Sequence, residues 1–288
     1  MALGNLAQRA LVAVIAVPIL LVVLYYHRPE PAFVLVLGAG VLAMREFFGM
    51  TLPVEDREPA LIMGIIACSG FYWLHPTTIA LYTDGKLLGL ATVLAELPAI
   101  ALAVVVPGLY YLFRFREIPT VAARLTATVT GIVYAGFLTM CLALLKNIDP
   151  SDGGDSVLLV LIVAWISDTG GYFAGRFLGK TKLYEAVSPK KTWAGAWGGL
   201  AGAFAGVAVL KLVSAHYLSW LDVALIAIPG GILGQMGDLA ESLIKRAVGV
   251  KDSGALLPGH GGILDRIDAV LFIAPYVYGY LAVRAYLA

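Results

Sequence analysis

The chain has 288 residues, of which 60% are hydrophobic and 14% charged, with a formal net charge of +1 at pH 7 and a mean hydropathy of +0.87. Soluble domains are about 45–50% apolar and about 25% charged, so this composition excludes an ordinary soluble domain. Repeated apolar runs near the roughly 20 residues that cross a bilayer, without alternating barrel segments, predict an all-α, polytopic integral membrane protein. Cys68 and Cys141 both lie in apolar runs, so neither a disulfide framework nor a cysteine-based metal site is expected.

Nine apolar segments are long enough to be transmembrane helices. They are predicted at about 10–26, 33–50, 59–75, 87–113, 125–145, 156–177, 194–213, 221–243 and 268–287. An odd number of spans places the termini on opposite sides. With the N-terminus in the cytoplasm, fifteen of the twenty Lys and Arg residues fall on the cytoplasmic side, so the positive-inside rule favours an N-in, C-out orientation. The fourth segment contains Pro98 and Pro107 and could be tilted, kinked or split, which would change the count by one.

The N-terminal region, residues 1–155, holds about five of these spans and few groups suited to chemistry. The run after Arg9 has no small-residue cleavage site, so it is interpreted as a retained anchor and not a signal peptide. Glu46 and Glu96 are the only carboxylates within these spans, and an intramembrane acid is a functional candidate by default. Glu46 follows Arg45 at a predicted cytoplasmic helix end, where interfacial solvation suffices. We therefore interpret both acids as having no chemical role.

The C-terminal region, residues 156–288, holds about four spans and two basic cytoplasmic loops, and it contains the candidate site. Asp168 lies about half-way along its span with no basic residue within four positions, so it needs a partner from another helix or a cation. We assign it to the site. Glycines at four-residue steps in this span and the next predict close helix packing through a small face. They are Gly171, Gly175 and Gly179, then Gly198, Gly202 and Gly206.

The first basic loop, residues 179–193, carries four lysines and no arginine. One interpretation is an inside-positive loop at the lipid headgroups. The other is a phosphate-binding loop, in which Ser188-Pro189 begins a turn, Thr192 caps the next helix and paired ammonium groups meet anionic oxygens. The spacing alone leaves both open.

The second polar stretch, residues 237–268, contains five carboxylates, four Lys or Arg residues and one His between two apolar runs. If the eighth helix continues into it, four polar side chains share one face. They are Asp238, Glu241, Ser242 and Lys245. Asp265 and Asp268 are spaced i and i+3 at the start of the last span, where a helix N-terminus tolerates their charge. Between these elements the glycine-rich loop 258–262 can approach a ligand closely and offer N–H donors. Arg266 lies between the two aspartates and can neutralise one of them.

This combination of residues predicts phosphoryl or nucleotidyl transfer. Clustered Asp side chains suit hard cations such as Mg²⁺, and neighbouring Lys and Arg suit polyphosphate. A nucleoside triphosphate reacting with a second anion needs metal and basic side chains together to offset repulsion. The sequence has no Walker loop, kinase signature, Ser-x-x-Lys or His-Glu-x-x-His motif. His260 has no His or Cys companions, so zinc is not expected.

The second stretch resembles the signature of the phosphatidate cytidylyltransferases, also called CDP-diacylglycerol synthases. The matching residues are Ser242, Lys245-Arg246, Lys251-Asp252, Pro258, His260-Gly261-Gly262, Asp265-Arg266 and Asp268. Segments 167–172 and 188–193 resemble that family's upstream motifs in the right order, so the motifs cover about residues 165–270, while the first 155 agree only in hydropathy. The family pattern has Glu where this chain has Ala194, so no role of that Glu can be carried over.

The resemblance implies a multi-span enzyme of the bacterial cytoplasmic (inner) membrane that condenses CTP with phosphatidic acid at a cytoplasm-facing site. It implies Mg²⁺ dependence, with a second cation left open. The implied metal ligands are Asp238 and Asp265, with Asp268 and Asp168 as secondary candidates, and the implied catalytic residues are Asp238, Asp265, Lys245, Arg246 and Arg266. The implied substrate-binding residues are Ser188, Lys190, Lys191, Thr192, Ser242, Lys251, His260, Gly261 and Gly262. Dimers are known in the family, which allows a homodimer, and no nucleic acid partner is expected.

Three alternatives accompany this interpretation. A secondary transporter also uses buried acids and broken helices, but here the charge gathers in cytoplasmic segments and no inverted repeat relates the halves. A cytidylyltransferase or kinase acting on a polyprenyl or archaeal ether lipid would have the same catalytic cluster. A degenerate, non-catalytic member is the third, and Ala194 alone does not establish it.

Overall fold

The structure is a computed structural model, and it describes residues 14, 17–83, 96–114, 118–148, 153–254 and 261–287. Residues 17–25 are helical. The helices that follow are α1 (Glu30–Thr51), α2 (Val54–Trp73), α3 (Pro76–Thr83), α4 (Glu96–Arg114), α5 (Ile118–Gly131), α6 (Leu138–Ile148), α7 (Gly153–Leu178), α8 (Trp193–Val213), α9 (Trp220–Ala247) and α10 (Leu264–Leu287). A π-helical turn (Ile132–Phe137) joins α5 to α6, and two short strands, β1 (Lys182–Tyr184) and β2 (Ser188–Thr192), lie between α7 and α8.

The predicted helical membrane architecture is confirmed. Within the described residues, six helices are long and apolar enough to cross a membrane, or seven if α2 and α3, bent by 59° at their junction, form one broken span. The six are α1, the continuous segment Ile118–Ile148, α7, α8, α9 and α10. The count of nine and the N-in, C-out orientation stay predictions, because part of the first predicted span and the beginning of the fourth lie outside the described residues.

Local capping determines where the helices of the C-terminal half begin. Thr192 Oγ1 accepts a hydrogen bond of 3.1 Å from the Gly195 N–H, so Thr192 caps α8 as its spacing predicts. Ser219 and Asp222 form a reciprocal capping box at the start of α9. Such caps satisfy N–H groups that the first turn of a helix leaves without partners.

The predicted small face is confirmed between α7 and α8, which form the most extensive helix pair in the described structure. A Cβ atom on Gly170 would lie only 2.4 Å from the Gly198 carbonyl oxygen, and one on Gly202 would lie 2.6 Å from the Ile166 carbonyl oxygen. No Cβ atom fits at such distances, so glycine allows the two backbones to meet. The closest approach on α7 is at Gly170, one residue before the predicted series of glycines.

Gly170→Ala should lower the apparent melting temperature of the protein in detergent, because the added methyl group forces α7 and α8 apart. Overpacking of this kind typically costs about 1–3 kcal/mol. Gly38→Ala is the matched control, since Gly38 lies in α1 and no described residue outside its own helix turn comes within 4 Å of the added methyl group. Alanine is the better helix former by up to about 1 kcal/mol, so the control should melt at or above the wild-type temperature. Equal melting temperatures for both variants would contradict the close-packing account.

Helix direction brings the polar segments to one end of the bundle. The C-terminal end of α7 leads into the β1–β2 hairpin, α8 runs back from that hairpin, α9 returns, and α10 departs again. Ion pairs from the hairpin to α9 and from α9 to α10 fix this arrangement. We call this the site end.

Candidate active site

The basic hairpin and the acidic helix meet at the site end. Lys191 Nζ, on β2, lies 2.7 Å from Asp238 Oδ2, on α9. Both side chains keep partial solvent access, with 25% of Lys191 and 30% of Asp238 exposed. An ammonium group and a carboxylate that are both accessible can exchange their mutual contact for contacts with a ligand.

The hairpin is stabilised by the pairing of its two strands and by a lysine side chain that contacts its backbone. Its strands are antiparallel, with Tyr184 opposite Ser188. Lys182 Nζ donates a 2.5 Å hydrogen bond to the Pro189 carbonyl oxygen. The sequence predicted a loop here, and the ordered strands fix which lysine faces α9.

A cavity of about 400 Å³ opens beside the Lys191–Asp238 pair. Ligand sites in proteins commonly occupy about 300–1,000 Å³, so the volume suits a small organic ligand. Its lining combines residues of α7, β1, β2, α8 and α9. The charged and amide-bearing side chains of this lining are Asp168, Arg176, Lys190, Lys191, Gln235 and Asp238. Arg176 and Gln235 were absent from the predicted site, because a single basic or amide residue in a helix has no distinctive spacing.

Lys245 joins two carboxylates in a second, more deeply buried cluster. Its Nζ lies 2.5 Å from Glu241 Oε2 and 2.5 Å from Asp265 Oδ1. The exposed side-chain fractions are 10% for Lys245, 1% for Glu241 and 10% for Asp265. The resemblance implies a catalytic role for Lys245, and in this structure its charge is compensated by Glu241 on α9 and Asp265 on α10.

Asp265 is surrounded by donors. Its Oδ2 accepts hydrogen bonds from the Ser253 N–H at 3.0 Å and from the Gly262 N–H at 2.8 Å, and Ser253 Oγ lies 3.0 Å away. Its Oδ1 accepts from Lys245. These contacts fix the orientation of the carboxylate and leave Oδ1 the less occupied of its two oxygens.

The two other predicted metal ligands, Asp268 and Asp168, interact electrostatically with residues of the site end. The carboxylates of Asp238, Glu241 and Asp168 are close enough to Asp268 to repel it. Asp168 is attracted in turn by Lys191 and Arg266. The structure thus places Asp168 and Asp238 on the wall of one cavity, and Asp265 and Asp268 at the beginning of the neighbouring helix α10.

The donor chemistry of this region fits Mg²⁺, although no three His, Cys, Asp or Glu side chains among the described residues form a ready-made metal site. The donors are carboxylate oxygens that repel one another, and Glu241 Oε1 is buried with no hydrogen-bond partner among the residues that the structure describes. Mg²⁺ usually keeps several waters and is held by one or two carboxylates together with substrate phosphates, so a complete protein cage is not required.

The other predicted residues take several positions. Ser242 Oγ lies 3.5 Å from Asp238 Oδ1, at the limit of a hydrogen bond, and Arg246 donates to the Val250 carbonyl oxygen at the exposed end of α9. Gly261 has a φ of +75°, a conformation that favours glycine. Lys251 is exposed. The prediction for His260 falls outside the described residues.

Glu46, on α1, lies at the site end among hydrogen-bond donors from Ser253 and the start of α10. Its carboxylate accepts hydrogen bonds from the Ile263 N–H at 2.9 Å, the Leu264 N–H at 2.8 Å and Ser253 Oγ at 3.0 Å. The expectation that interfacial solvent suffices for this acid is wrong. A lone acid near a helix end was the only signal in the sequence, and its partners lie more than 200 residues away.

Fold and site together define a helical integral membrane protein with paired acidic and basic side chains around a ligand-sized cavity. Residues 7–284 match the family model described as the cytidylyltransferase family. The chain belongs to that family and is a nucleotidyltransferase.

Curated relatives agree with this assignment. The phosphatidate cytidylyltransferase of Bacillus subtilis is 32% identical over 279 residues, covering 96% of this chain and 98% of the relative. The phosphatidate cytidylyltransferase of Brucella suis is 44% identical over 155 residues, 54% of this chain and 57% of the relative. The phosphatidate cytidylyltransferase of Staphylococcus haemolyticus is 47% identical over 126 residues, which cover 43% of this chain and 48% of the relative. The chain thus spans about half the length of the Brucella and Staphylococcus relatives.

Proposed function

We propose that the protein is a phosphatidate cytidylyltransferase, which forms CDP-diacylglycerol and pyrophosphate from CTP and phosphatidic acid. We place it in the bacterial cytoplasmic membrane with the site end facing the cytoplasm. The contact between Lys191 and Asp238 at the edge of the cavity carries the proposal most directly, because it joins phosphate-binding and metal-binding chemistry beside space for a ligand. The printed names of the bacterial relatives support the choice of substrates.

The proposed reaction is in-line displacement at the α-phosphorus of CTP. A phosphatidate oxygen forms the new P–O bond, the bond from the α-phosphorus to the bridging oxygen breaks, and pyrophosphate leaves with that electron pair. The nucleophile is already an anion near neutral pH, so a strong general base is unnecessary. Lys190 and Lys191, on the cavity wall, would hold phosphate oxygens and offset the charge developing on pyrophosphate.

Mg²⁺ would be held by Asp238 and Asp265, with Asp268 and Asp168 as secondary candidates and a second cation left open. When bound it would supply charge neutralisation between the two anionic substrates. Lys245 and the donors around Asp265 Oδ2 would keep that carboxylate oriented. Arg266 would balance the charge of Asp168. The homodimer stays a prediction.

The position of a radioactive label distinguishes this reaction from a lipid kinase. The purified protein in detergent would be given phosphatidic acid and CTP labelled at either the α- or the γ-phosphate. The proposal predicts α-label in the lipid product and γ-label in pyrophosphate. Transfer of γ-label to lipid would establish a kinase instead, and activity confined to polyprenyl phosphate or an ether-linked lipid would correct the substrate.

Lys191→Gln should reduce kcat/KM for CTP by about 10- to 100-fold, because charge-assisted hydrogen bonds to phosphate contribute about 1.5–3 kcal/mol each. Lys180→Gln is the matched control, since Lys180 is exposed and precedes the hairpin. Steady-state rates over a range of CTP concentrations measure both. Equal effects of the two substitutions would mean that general positive charge, and not the Lys191 position, matters.

A further inference from the structure

Glu46 links the N-terminal half of the chain to the start of α10. Its Oε1 accepts the hydrogen bond from Ile263, and its Oε2 accepts those from Leu264 and Ser253. The N–H groups at the beginning of a helix have no intrahelical partners, and a carboxylate there is favoured by the helix dipole. Glu46 therefore caps α10 from another helix, 217 residues away from Ile263 in sequence.

Glycine at positions 254 and 262 allows the backbone there to approach this carboxylate closely. A Cβ atom on Gly254 would lie 2.6 Å from Glu46 Oε1, and one on Gly262 would lie 2.3 Å from Glu46 Oε2. The side chain of Glu46 thus fills space that only glycine leaves free on both flanks of the segment 255–261. A carboxylate at a solvated interface would need no such fit.

Ser253 connects Glu46 to the carboxylate cluster. Ser253 Oγ lies 3.0 Å from Glu46 Oε2 and 3.0 Å from Asp265 Oδ2, while the Ser253 N–H donates to Asp265 Oδ2. Only 7% of Ser253 is exposed, so these contacts do not compete with bulk water. Moving Glu46 would release both the first N–H groups of α10 and the donor that orients Asp265.

We infer that Glu46 is a positioning residue, which holds Ser253 and the start of α10 so that Asp265 keeps its orientation toward Lys245. Glu46 does not itself line the cavity beside Asp238. Its effect on rate therefore passes through Asp265, and displacement of a reacting group by about 1 Å can reduce a rate by about 10²-fold. The expected effect of Glu46 on turnover rests on the proposed function, whereas its role in holding Ser253 and the start of α10 does not.

Hydrogen–deuterium exchange tests the structural part with the whole chain in detergent. Glu46→Gln keeps the size of the side chain but replaces one accepting oxygen with an NH₂ group, which cannot accept from N–H or O–H. Amides of Ile263 and Leu264 should exchange at least about tenfold faster in this variant than in wild type. The matched control is Glu55→Gln, because Glu55 lies in the first turn of α2, is 51% exposed and forms a long ion pair of 3.4 Å with Arg124. Unchanged exchange in Glu46→Gln would overturn the inference.

Kinetics on the same samples separates positioning from general stabilisation. Glu46→Gln should lower kcat by about tenfold or more, with a smaller change in the KM for CTP, while Glu46→Asp restores part of the rate and Glu55→Gln resembles wild type. Faster exchange with wild-type kcat would overturn the positioning role. So would a loss of activity that disappears once rates are divided by the folded fraction. If wild type makes no CDP-lipid, the proposed function fails, and the exchange data alone decide whether Glu46 holds the start of α10.

Discussion

Asp238→Asn should lower CDP-lipid formation by about 100-fold or more while the protein stays folded. The substitution removes the negative charge that pairs with Lys191 and one of the two proposed principal metal ligands. Loss of one preorganised electrostatic group in an active site commonly reduces turnover by about 10²–10³-fold. The Asp238 side chain is 30% exposed, and ion pairs with solvent access contribute at most about 1 kcal/mol to stability, so the melting temperature should change little.

Initial rates over a range of Mg²⁺ concentrations measure this effect. Glu185→Gln is the control, because Glu185 is an exposed acid in the turn of the neighbouring hairpin. It should leave both the rate and the Mg²⁺ dependence unchanged. Near wild-type turnover with normal Mg²⁺ dependence in Asp238→Asn would show that the metal assignment is wrong.

Lys245→Met should destabilise the protein strongly, in contrast to Asp238→Asn. It leaves the carboxylates of Glu241 and Asp265, 1% and 10% exposed, without the ammonium group between them. Removing one member of a buried ion pair typically costs about 3–5 kcal/mol, because an uncompensated charge remains. Thermal unfolding in detergent should therefore show a much lower melting temperature and little product formation.

The double variant Lys245→Met/Glu241→Met tests whether buried charge is the cause. Replacing a buried pair with apolar residues of similar size is often neutral, so much of the lost stability should return, since Asp265 keeps its donors from Ser253 and Gly262. Activity should stay low, because the positive charge at position 245 is still missing. A single variant as stable as wild type would contradict the buried-cluster account.

The membrane helices were the part of the fold most accessible to sequence analysis. The predicted span at 156–177 corresponds to α7 at Gly153–Leu178, because bilayer thickness imposes both apolarity and length. The span predicted at 125–145 is the centre of a longer helix, Ile118–Ile148, whose first part is less apolar. The β-hairpin was missed because its strands are short, exposed and rich in lysine, and therefore lack the alternating pattern of a half-buried strand.

The candidate site was predictable where local spacing encodes contact. Glu241 and Lys245 are four residues apart on α9, and the structure shows them paired. The third member of that cluster, Asp265, comes from the next helix, and spacing along α9 contains no information about it. Glu46 is the extreme case, since its donors lie on Ser253 and the start of α10 and only tertiary packing brings them together.

Product formation by the purified protein tests the central claim most directly. Wild type and Asp265→Asn would each be incubated in detergent with phosphatidic acid and α-labelled CTP, with and without Mg²⁺, after both are shown to be folded. We predict Mg²⁺-dependent CDP-diacylglycerol from wild type and a loss of about 100-fold or more in the variant, because the neutral amide that replaces the carboxylate cannot compensate the charge of Lys245. Folded wild-type protein that forms no CDP-lipid with any nucleotide or lipid, or a variant that matches the wild-type rate, would contradict the account.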